Sequence, residues 1–502
     1  MSLDQLGPTL LIGAAVVVLA VVGVRFTGRL GVPGLLLYLF IGLGLGWILP
    51  GDDLVDPELA TVLGYAALVL ILAHGGLTTP LPQLRPVLAP SLVLATVGVG
   101  VSVAVVAIPL IIFLGMDPQI AILLAAVVSA TDAAAVFSVL RRTNVTPRLK
   151  ILLEGESGFN DAPVVVLVTV VASGTLAGEP WLVPLLVFGE LIGGAVVGVA
   201  VGFATRWVMG RLALPAVGLY PIAAIAMLVG AYGLADLVHS SGFMAVYVAA
   251  VILGSAVDLP HRRAVLGFSD GMSWLAEIGL FVMLGLLAQP DRLPASIGIA
   301  LFATGLLVVL GRPMAALVSL VPFGIPGLRR SSPRWSGREI GFVSIVGLRG
   351  AVPIVFAAIP LGLGVPGAEI VFDATLIVVL VLTLIQAPSL PWVARRMGVT
   401  SVAEPEELEV DVAPLDDLNA AVLGIDIGVD SRLVGVYVRE LPLPPGAVVS
   451  LIVRGDHAEA VQSETRLRRG DRLIVVAAER VRGQTEERLR AMSRSGRLHG
   501  WT

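Results

Sequence analysis

The sequence predicts an all-α polytopic membrane protein followed by a small α/β domain, and three observations lead to that fold class. First, 56% of the 502 residues are hydrophobic and 14% are charged, whereas soluble domains carry about a quarter charged residues. Second, most of the chain falls into apolar runs of roughly 18 to 25 residues, the length that crosses a bilayer. Third, these runs stop after Arg396, where the composition changes. The chain has no cysteine, which excludes disulfides and thiolate metal sites.

About thirteen candidate spans divide the membrane part when hydropathy is followed along the chain. Each is long enough, at the rise of an α-helix, to cross most of a hydrocarbon core of about 30 Å. Their approximate limits are 8–24, 32–49, 58–77, 87–114, 119–140, 151–173, 182–208, 215–236, 242–257, 265–288, 295–322, 339–361 and 368–393.

The charges of the loops alternate from one loop to the next, which tests this count. One set of loops is basic and carries Arg25, Arg29, Arg85, Arg141, Arg142, Arg148, Lys150, Arg206, Arg211, Arg262, Arg263, Arg329, Arg330, Arg334, Arg338, Arg395 and Arg396. The other set is mainly acidic and carries Asp52, Asp53, Asp56, Glu58, Asp117, Glu179, Asp236, Asp291 beside Arg292, and Glu369. Lys and Arg are enriched in cytoplasmic loops. The pattern therefore predicts a multi-pass protein of the cell (inner) membrane with its N-terminus outside and its C-terminus in the cytoplasm.

The chain beyond the last span predicts a second domain. An acidic stretch with two prolines indicates a linker, and short β-like runs separated by turns follow it. The predicted organisation is a membrane domain over 1–396, a linker over 397–417, an α/β domain over 418–490 and a tail over 491–502. Within the α/β domain the expected strands cover 421–425, 433–438, 448–453 and 473–476, and the expected helix covers 479–494.

Two carboxylates lie near the middle of neighbouring predicted spans. At the helical rise, Asp132 lies roughly 20 Å from the outer end of the fifth span, and Asp161 lies roughly 16 Å from Lys150 at the inner end of the sixth. A charge at that depth costs several kcal/mol or more unless it is solvated, paired or coordinating. Because the two spans run in opposite directions, both carboxylates can face one cavity. The alternative is that they only form hydrogen bonds between helices.

Side-chain oxygens surround these two carboxylates in the sequence. Hard monovalent cations prefer carboxylate, hydroxyl and carbonyl oxygens, as harder divalent ions do. A carboxylate that binds either a proton or a cation couples the two flows, because occupancy by one excludes the other. The predicted monovalent cation site contains Thr131, Asp132, Ser157, Asn160 and Asp161.

The twelfth predicted span carries an arginine at a similar depth. Arg349 lies roughly 16 Å from Arg338 at the helical rise, between glycines at 347 and 350. Interruptions in two oppositely directed spans are typical of inverted-repeat transporters with broken helices. We expect Arg349 to be paired, with Glu156 as its partner in a structural ion pair.

Two further ionisable residues lie in the predicted spans. His74, near the inner end of the third span, titrates in a range that suits a pH sensor. The alternative is that it only makes a hydrogen bond at the interface. Glu277 lies in the middle of the tenth span, where it would line a pore or a dimer face.

Three segments of the membrane part together resemble the signature segments of a known family. Ser129–Val136 (SATDAAAV), Glu154–Asp161 (EGESGFND) and Gly347–Val352 (GLRGAV) look like the signature segments of monovalent cation/proton antiporters of the NhaP type, in order and in spacing. That resemblance covers roughly 8–396. The stretch at about 408–490 resembles the C-terminal subdomain of potassium-conductance regulators (TrkA-C, also called RCK-C), with a Gly-Asp turn before 473–476 as its best match. The combination looks like the potassium/proton branch of the family.

The resemblance implies a thirteen-span homodimer in which the fifth and twelfth spans unwind and cross. It implies that Asp161 carries the proton and the cation, with Asn160, Thr131, Asp132 and Ser157 near the ion, and that Glu156 pairs with Arg349. Asn160 before Asp161 resembles the electroneutral one-for-one branch. Relatives often carry an acid near the position of His74, so a cation-binding role for the third span is in doubt in this chain.

The predicted function is a secondary antiporter, not an enzyme, that exchanges K⁺ or Na⁺ for H⁺ by alternating access, with the C-terminal domain as regulator. A Na⁺-selective antiporter is the alternative. A cation channel gated by the C-terminal domain is remote, because the sequence has no TVGYG-like filter. A membrane-embedded enzyme is also disfavoured, since HExxH and GxSxG motifs are lacking.

The predicted antiporter function also leads to expectations about partners and cofactors. No resident cofactor is required, because the ions are the substrates. The C-terminal domain is expected either to bind a small regulator, for which cyclic di-AMP is one candidate, or to stabilise a dimer without any ligand. Membrane lipid and a second copy of the chain are the expected partners. The net charge of −4 is too small to indicate nucleic acid.

Overall fold

The computed structural model contains two compact units, Met1–Thr400 and Ser401–Thr502. The residues that it describes are 3–30, 34–48, 57–132, 145–174, 182–256, 259–324, 335–347, 349–400, 410–415, 420–428, 431–454 and 457–495. Several predicted loop charges lie outside these ranges, among them Arg141, Arg142, Asp52, Asp53, Asp56, Glu179, Arg329, Arg330 and Arg334.

The first unit is helical throughout its described residues, as the sequence predicts. Among the described residues, seven helices are long and apolar enough to cross a membrane when Leu81–Leu114 and Leu293–Phe323 are each counted as one, and five shorter apolar helices accompany them. The count of thirteen spans stays a prediction. The helices are α1 Leu3–Leu30, α2 Gly34–Ile48, α3 Pro57–Thr78, α4 Leu81–Leu84, α5 Leu88–Val93, α6 Val99–Leu114, α7 Pro118–Ser129, α8 Pro147–Ala172, α9 Leu182–Met209, α10 Leu219–Leu237, α11 Gly242–Gly254, α12 Arg262–Leu287, α13 Leu293–Leu306, α14 Arg312–Leu320, α15 Gly337–Ile345, α16 Ala351–Gly362 and α17 Ala368–Met397.

Two of these helices join their neighbours through wider turns. Leu94–Gly98 and Leu307–Gly311 are π-helical and lie in the predicted fourth and eleventh spans. Each such turn accommodates one extra residue in an otherwise α-helical rod, and such turns are frequent at functional sites. The two spans therefore carry the same irregularity.

Local sequence explains where the helices next to the site begin. Asp117 caps α7, where its carboxylate accepts from the backbone N–H groups of Gln119 (2.8 Å) and Ile120 (3.3 Å), and Pro118 fits the first helical position. Ser336 and Glu339 form a capping box that begins α15.

The predicted twelfth span is interrupted. Helix α15 ends at Ile345, Val346 is extended (φ −78°, ψ 107°), and α16 begins at Ala351 after Gly350. The predicted fifth span also loses its helix, because α7 ends at Ser129 and Ala130 is extended (φ −61°, ψ 138°). Its continuation over 133–144 lies outside the described residues. Side chains from each interruption contact the other, as described below, so the two breaks are adjacent.

Glycines hold α3, α9 and α11 together in what we call the glycine-packed scaffold. A Cβ atom added at Gly194 would lie 2.3 Å from the carbonyl oxygen of Ser241, and one added at Gly198 would lie 2.6 Å from that of Ala245. On the other side of α11, a Cβ at Gly76 of α3 would lie 2.6 Å from the Cβ of Ala250. Only a residue without a side chain permits such close approach of helix backbones.

The second unit contains a small antiparallel sheet and one helix, as the sequence predicts. The strands are β1 Val410–Leu415, β2 Ala420–Asp426, β3 Ala447–Arg454, β4 His457–Ala460 and β5 Arg472–Ala478, in the order β1-β2-β5-β3-β4, and helix α18 covers Glu479–Ser495. Alternate residues of β5, Leu473, Val475 and Ala477, are buried, which is the period of a half-buried strand.

Two predictions for this unit are wrong. The run 433–438 is not a strand, because its backbone turns at Gly435 with φ +87°, and Leu433 and Val436 are buried from that turn. Residues 410–415 are strand β1 and not linker. Pro414 is tolerated there because β1 is an edge strand that pairs only with β2. The domain boundaries otherwise stay a prediction.

Candidate functional site

The end of α7 and the middle of α8 meet at a buried polar cluster. Thr131 follows α7, and its hydroxyl oxygen accepts hydrogen bonds from the Ser157 hydroxyl (3.2 Å) and from the Asn160 amide nitrogen (3.0 Å). All three residues are at most 1% exposed, and so is Asp161. The structure thus brings together four of the five residues predicted to surround a cation, and Asp132 follows directly in the chain.

Two oxygens of this cluster have no hydrogen-bond partner among the described residues. They are Oδ1 of Asp161 and Oδ1 of Asn160, and both are buried. Because the Asn160 amide nitrogen donates to Thr131, its oxygen is directed elsewhere. Buried polar atoms are nearly always satisfied in native proteins, and an unsatisfied one costs about 1–3 kcal/mol. An alkali cation or a proton beside these oxygens would remove that cost.

Asp132 lies at the start of α16. A Cβ atom added at Gly350 would lie 2.0 Å from the Asp132 Oδ2 atom, so the carboxylate packs directly on the backbone that precedes the helix. A negative charge is stabilised at a helix N-terminus. Asp132 also interacts electrostatically with Asp161. Asp132 therefore belongs to the same cluster, with its carboxylate placed where it also balances the dipole of α16.

The predicted ion pair between Glu156 and Arg349 is wrong. The Glu156 carboxylate instead accepts two hydrogen bonds from Arg312, at 2.5 and 3.3 Å. Both side chains are buried, with exposed fractions of 2% and 5%. The reason is geometric, since a planar guanidinium that faces a carboxylate edge to edge gives a bidentate pair, and Arg312 reaches that position from α14.

Arg349 is held by backbone oxygens. Its Nε donates to the carbonyl of Val128 at 3.0 Å, and its Nη1 donates to the carbonyl of Gly347. The Thr383 hydroxyl donates to the carbonyl of Arg349 at 2.9 Å and so ties this backbone to α17. Arg349 is 1% exposed. A buried guanidinium thus lies against the last turn of α7.

Arg312 makes matching contacts with the other broken helix. It donates to the carbonyls of Val343 (3.2 Å) and Val346 (2.6 Å), at the end of α15. Helix C-termini carry unsatisfied carbonyls and a partial negative charge, which cations stabilise. The two arginines therefore balance the ends of α7 and α15, while Asp132 balances the start of α16.

Sequence reasoning overlooked Arg312 altogether. A signal was present, because Arg312 is an isolated arginine, followed by Pro313, in the middle of the predicted span 295–322. An intramembrane charge of this kind requires a partner and marks functional architecture. Arg312 lies outside the three motif segments.

His74 of α3 contacts helix α12. Its Nδ1 is 3.1 Å from the Ser269 hydroxyl and its Nε2 is 3.4 Å from an Asp270 carboxylate oxygen, both on α12. The imidazole is 16% exposed and Asp270 is 49% exposed. Glu277 is buried further along α12, with an exposed fraction of 7%.

Comparison with known proteins gives concordant results. The profile of the family described as "Sodium/hydrogen exchanger, transmembrane" matches residues 15–396, and that of the TrkA-C domain matches 422–490. The K(+)/H(+) antiporter NhaP of Alkalimonas amylolytica is 32% identical over 468 residues, which are 90% of this chain and 78% of that protein. The K(+)/H(+) antiporter NhaP2 of Shewanella baltica is 32% identical over 490 residues, 96% of this chain and 82% of that protein. Among solved structures, the sodium proton antiporter MjNhaP1 from Methanocaldococcus jannaschii has the same fold, with a TM-score of 0.66 at 22% identity over 78% of this chain and 99% of that one.

Proposed function

We infer the function from one premise: this chain belongs to the sodium/hydrogen exchanger family, with a TrkA-C domain after the membrane unit. It is therefore a cation/proton antiporter and not an enzyme. We propose that it exchanges K⁺ for H⁺ one for one across the cell membrane, and that Asp161 carries both ions in turn. The potassium assignment rests on the two relatives named K(+)/H(+) antiporters, which match 90% and 96% of this chain.

The observation that carries the proposal is the buried Asp161 carboxylate with an unpartnered oxygen. Its neighbours Asn160 and Thr131 supply further oxygens, and Thr131 is already oriented by two donors. No arginine forms an ion pair with Asp161 among the described residues, so its charge remains available for a mobile ion. A carboxylate of this kind binds either a proton or a cation, and exchange follows when it is reached from each side in turn.

The charges of the cluster support the proposal of electroneutral exchange. Glu156 is neutralised by Arg312 at 2.5 Å, and Asp132 lies at the start of α16 beside Gly350. One titrating carboxylate exchanges one proton for one monovalent cation. Asn160, which takes the place of a second acid before Asp161, adds an oxygen without adding a charge.

The test is the substitution Asp161→Asn. In everted membrane vesicles with an imposed pH gradient, addition of K⁺ to the wild-type protein should dissipate the gradient, as reported by dequenching of a pH-sensitive dye. Asp161→Asn should abolish this signal, because an amide neither binds a proton nor balances a cation. Substituting Na⁺ for K⁺ in the same assay decides between the potassium proposal and a sodium-selective antiporter.

Asp373→Asn is the matched control. Asp373 is also a buried aspartate in a membrane helix, with an exposed fraction of 2%, but it faces Arg292 at 3.4 Å near the start of α17. We expect this variant to retain exchange. Undiminished exchange in Asp161→Asn, at equal protein level, would remove Asp161 as the carrier.

The proposal extends to the second unit and to assembly. We propose a homodimer in the cell (inner) membrane with its C-terminus in the cytoplasm, regulated through the TrkA-C domain. A nucleotide such as cyclic di-AMP is a candidate ligand for that domain, and calorimetric titration of the full-length protein in detergent tests it. An absence of heat across a broad nucleotide panel would favour a purely dimer-stabilising domain.

His74 is proposed as a sensor of cytoplasmic pH. It bridges α3 to Ser269 and Asp270 of α12, and a protonated imidazole beside a carboxylate strengthens such a bridge. His74→Gln should flatten the dependence of the exchange rate on cytoplasmic pH. An unchanged pH profile would leave His74 with a packing role only.

A further inference from the structure

Tyr247 of α11 is inserted into α8 at the level of the site. A Cβ atom added at Gly158 would lie 2.3 Å from Cζ, 2.4 Å from Cε2 and 2.6 Å from the hydroxyl oxygen of Tyr247. The phenol ring therefore occupies the space that any side chain at 158 would fill. We call this depression in α8 the Gly158 notch. The ring of Phe159 closes one side of it, edge to face with Tyr247 at a centroid distance of 5.0 Å.

The notch separates two carboxylates on one face of α8. Glu154 precedes Gly158 by four residues and Asp161 follows it by three, so all three share a helical face. Glu154 is itself buried, with a side chain that is 8% exposed, but it lies 3.9 Å from Lys150, whose side chain is 44% exposed and marks the aqueous end of the helix. Asp161 lies about 10 Å further along the axis, and Tyr247 covers the surface between them.

The backbone at Tyr247 belongs to the glycine-packed scaffold. A Cβ atom at Gly76 of α3 would lie 2.9 Å from the Tyr247 carbonyl oxygen, so the backbone of α11 at this residue is fixed to α3. Helix α8 instead meets α11 through an inserted side chain. If α8 moves against the scaffold, the ring must leave the notch, while α11 and α3 stay together.

We propose that Tyr247 is the barrier between Asp161 and the aqueous phase at the Lys150 end of α8, and that its ring leaves the Gly158 notch when that side opens. The inference deepens the proposed function and rests on it, because a barrier matters only if Asp161 exchanges ions with both sides. The apolar ring excludes water and cations from the face of α8 that joins Glu154 to Asp161. Tyr247 is a positioning residue, since it acts by controlling the access of water and cations to Asp161.

Cysteine accessibility tests the barrier without any need for transport. The chain has no cysteine, so single cysteines can be introduced in full-length protein in membrane vesicles. Lys150→Cys identifies the vesicle face from which a membrane-impermeant maleimide reaches this end of α8. From that face, Asp161→Cys should react slowly, and addition of Tyr247→Ala should increase its labelling rate about tenfold or more, the scale of a shifted gating equilibrium. Fast labelling of Asp161→Cys with Tyr247 in place would overturn the barrier.

Two further variants distinguish the effect of losing the Tyr247 ring from a general loosening of helix packing. Tyr247→Phe keeps the ring and should leave Asp161→Cys protected, whereas exposure by this variant would overturn the role of the ring. Tyr232→Ala is the matched control. Tyr232 of α10 packs on Gly242 of α11 as Tyr247 packs on Gly158, and a Cβ atom added at Gly242 would lie 2.5 Å from the Tyr232 ring. This variant should leave labelling unchanged, and an equal increase would overturn the proposal.

Tyr247→Leu serves where Tyr247→Ala fails to fold. Leucine keeps an apolar side chain but cannot fill the notch, so this variant should also accelerate the labelling of Asp161→Cys. If Asp161→Cys stays as protected as it is with Tyr247 in place, the proposal is overturned. Because labelling does not depend on exchange, these outcomes are distinguishable from a failure of the Asp161→Asn transport test.

Discussion

Two neighbouring regions of the membrane unit achieve close helix contact by opposite means. Where α7, α8, α15 and α16 meet, helices are interrupted and charged groups are buried. In the glycine-packed scaffold, intact helices touch backbone to backbone through glycines, without ionisable groups at the contacts. The first region depends on a few exact pairings, whereas the second spreads its stability over many small contacts.

This difference in packing and charge suits the two regions to different functions. A region with buried charges changes its energy strongly when an ion arrives, because each charge interacts strongly at low dielectric. A region of close apolar packing changes little and resists deformation. The broken-helix region is therefore suited to bind ions, and the scaffold is suited to be the body against which it moves.

The largest expected effect comes from removing a charge from the broken-helix region. Arg312→Ala leaves the Glu156 carboxylate buried without its partner and the C-terminal end of α15 uncapped, which should destabilise the protein by about 3–5 kcal/mol. Thermal unfolding in detergent should show a large decrease in midpoint and exchange should be lost.

A double-mutant cycle makes this prediction specific. Glu156→Ala should restore part of the stability lost in Arg312→Ala, because the two side chains are directly paired. The cycle between Glu156 and Arg349 should give a smaller coupling energy. A larger coupling with Arg349 would contradict the pairing described above and revive the one that the sequence predicted.

A smaller effect is expected from filling space in the scaffold. Gly198→Ala places a methyl group 2.6 Å from the Ala245 carbonyl oxygen, a backbone atom that cannot rotate away. Overpacking of this kind costs about 1–3 kcal/mol. Gly189→Ala on the same helix is the control, since nothing lies within 4 Å of its added Cβ. If both variants unfold at the same temperature, the close packing of α9 on α11 does not stabilise the scaffold.

The smallest effect on stability should come from Thr131→Val in the polar cluster. The variant keeps the shape of the side chain but removes the acceptor shared by Ser157 and Asn160, at a cost of about 1 kcal/mol. Its effect on exchange should be larger, with a raised KM for K⁺, because Asn160 is no longer oriented. An unchanged KM would place the cation away from Thr131. Serine at 131, which restores the hydroxyl, is the matched control.

Sequence reasoning reached the polar cluster because its members lie in short segments. Ser157, Asn160 and Asp161 share a stretch of α8, and Thr131 precedes the break after α7, so helical spacing and depth suffice to bring them together. The wrong partner for Glu156 has a different origin. Two arginines lie at similar depth, and which one reaches the carboxylate depends on how α14 packs, a tertiary property that spacing does not contain.

The soluble unit shows the same limit on a smaller scale. Strand β5 alternates buried and less buried residues and was predictable from that period. Strand β1 was hidden by Pro414 and by acidic neighbours, and only its pairing with β2 explains why the proline is tolerated. The turn at Gly435 broke a run that has strand-like composition. Long-range pairing decides these cases.

The π-helical turn Leu307–Gly311 has a consequence for the direction in which Arg312 points. Each residue of an α-helix advances the azimuth by about 100°, and a π-helical turn contains one residue more than an α-helical one. If Leu307–Gly311 were regular α-helix, the extra residue would turn Arg312 by about 100° around the helix axis, whereas the wider turn accommodates that residue within one rotation. The π-helical geometry of this turn thus sets the direction in which the guanidinium points, and the salt bridge with Glu156 depends on that direction.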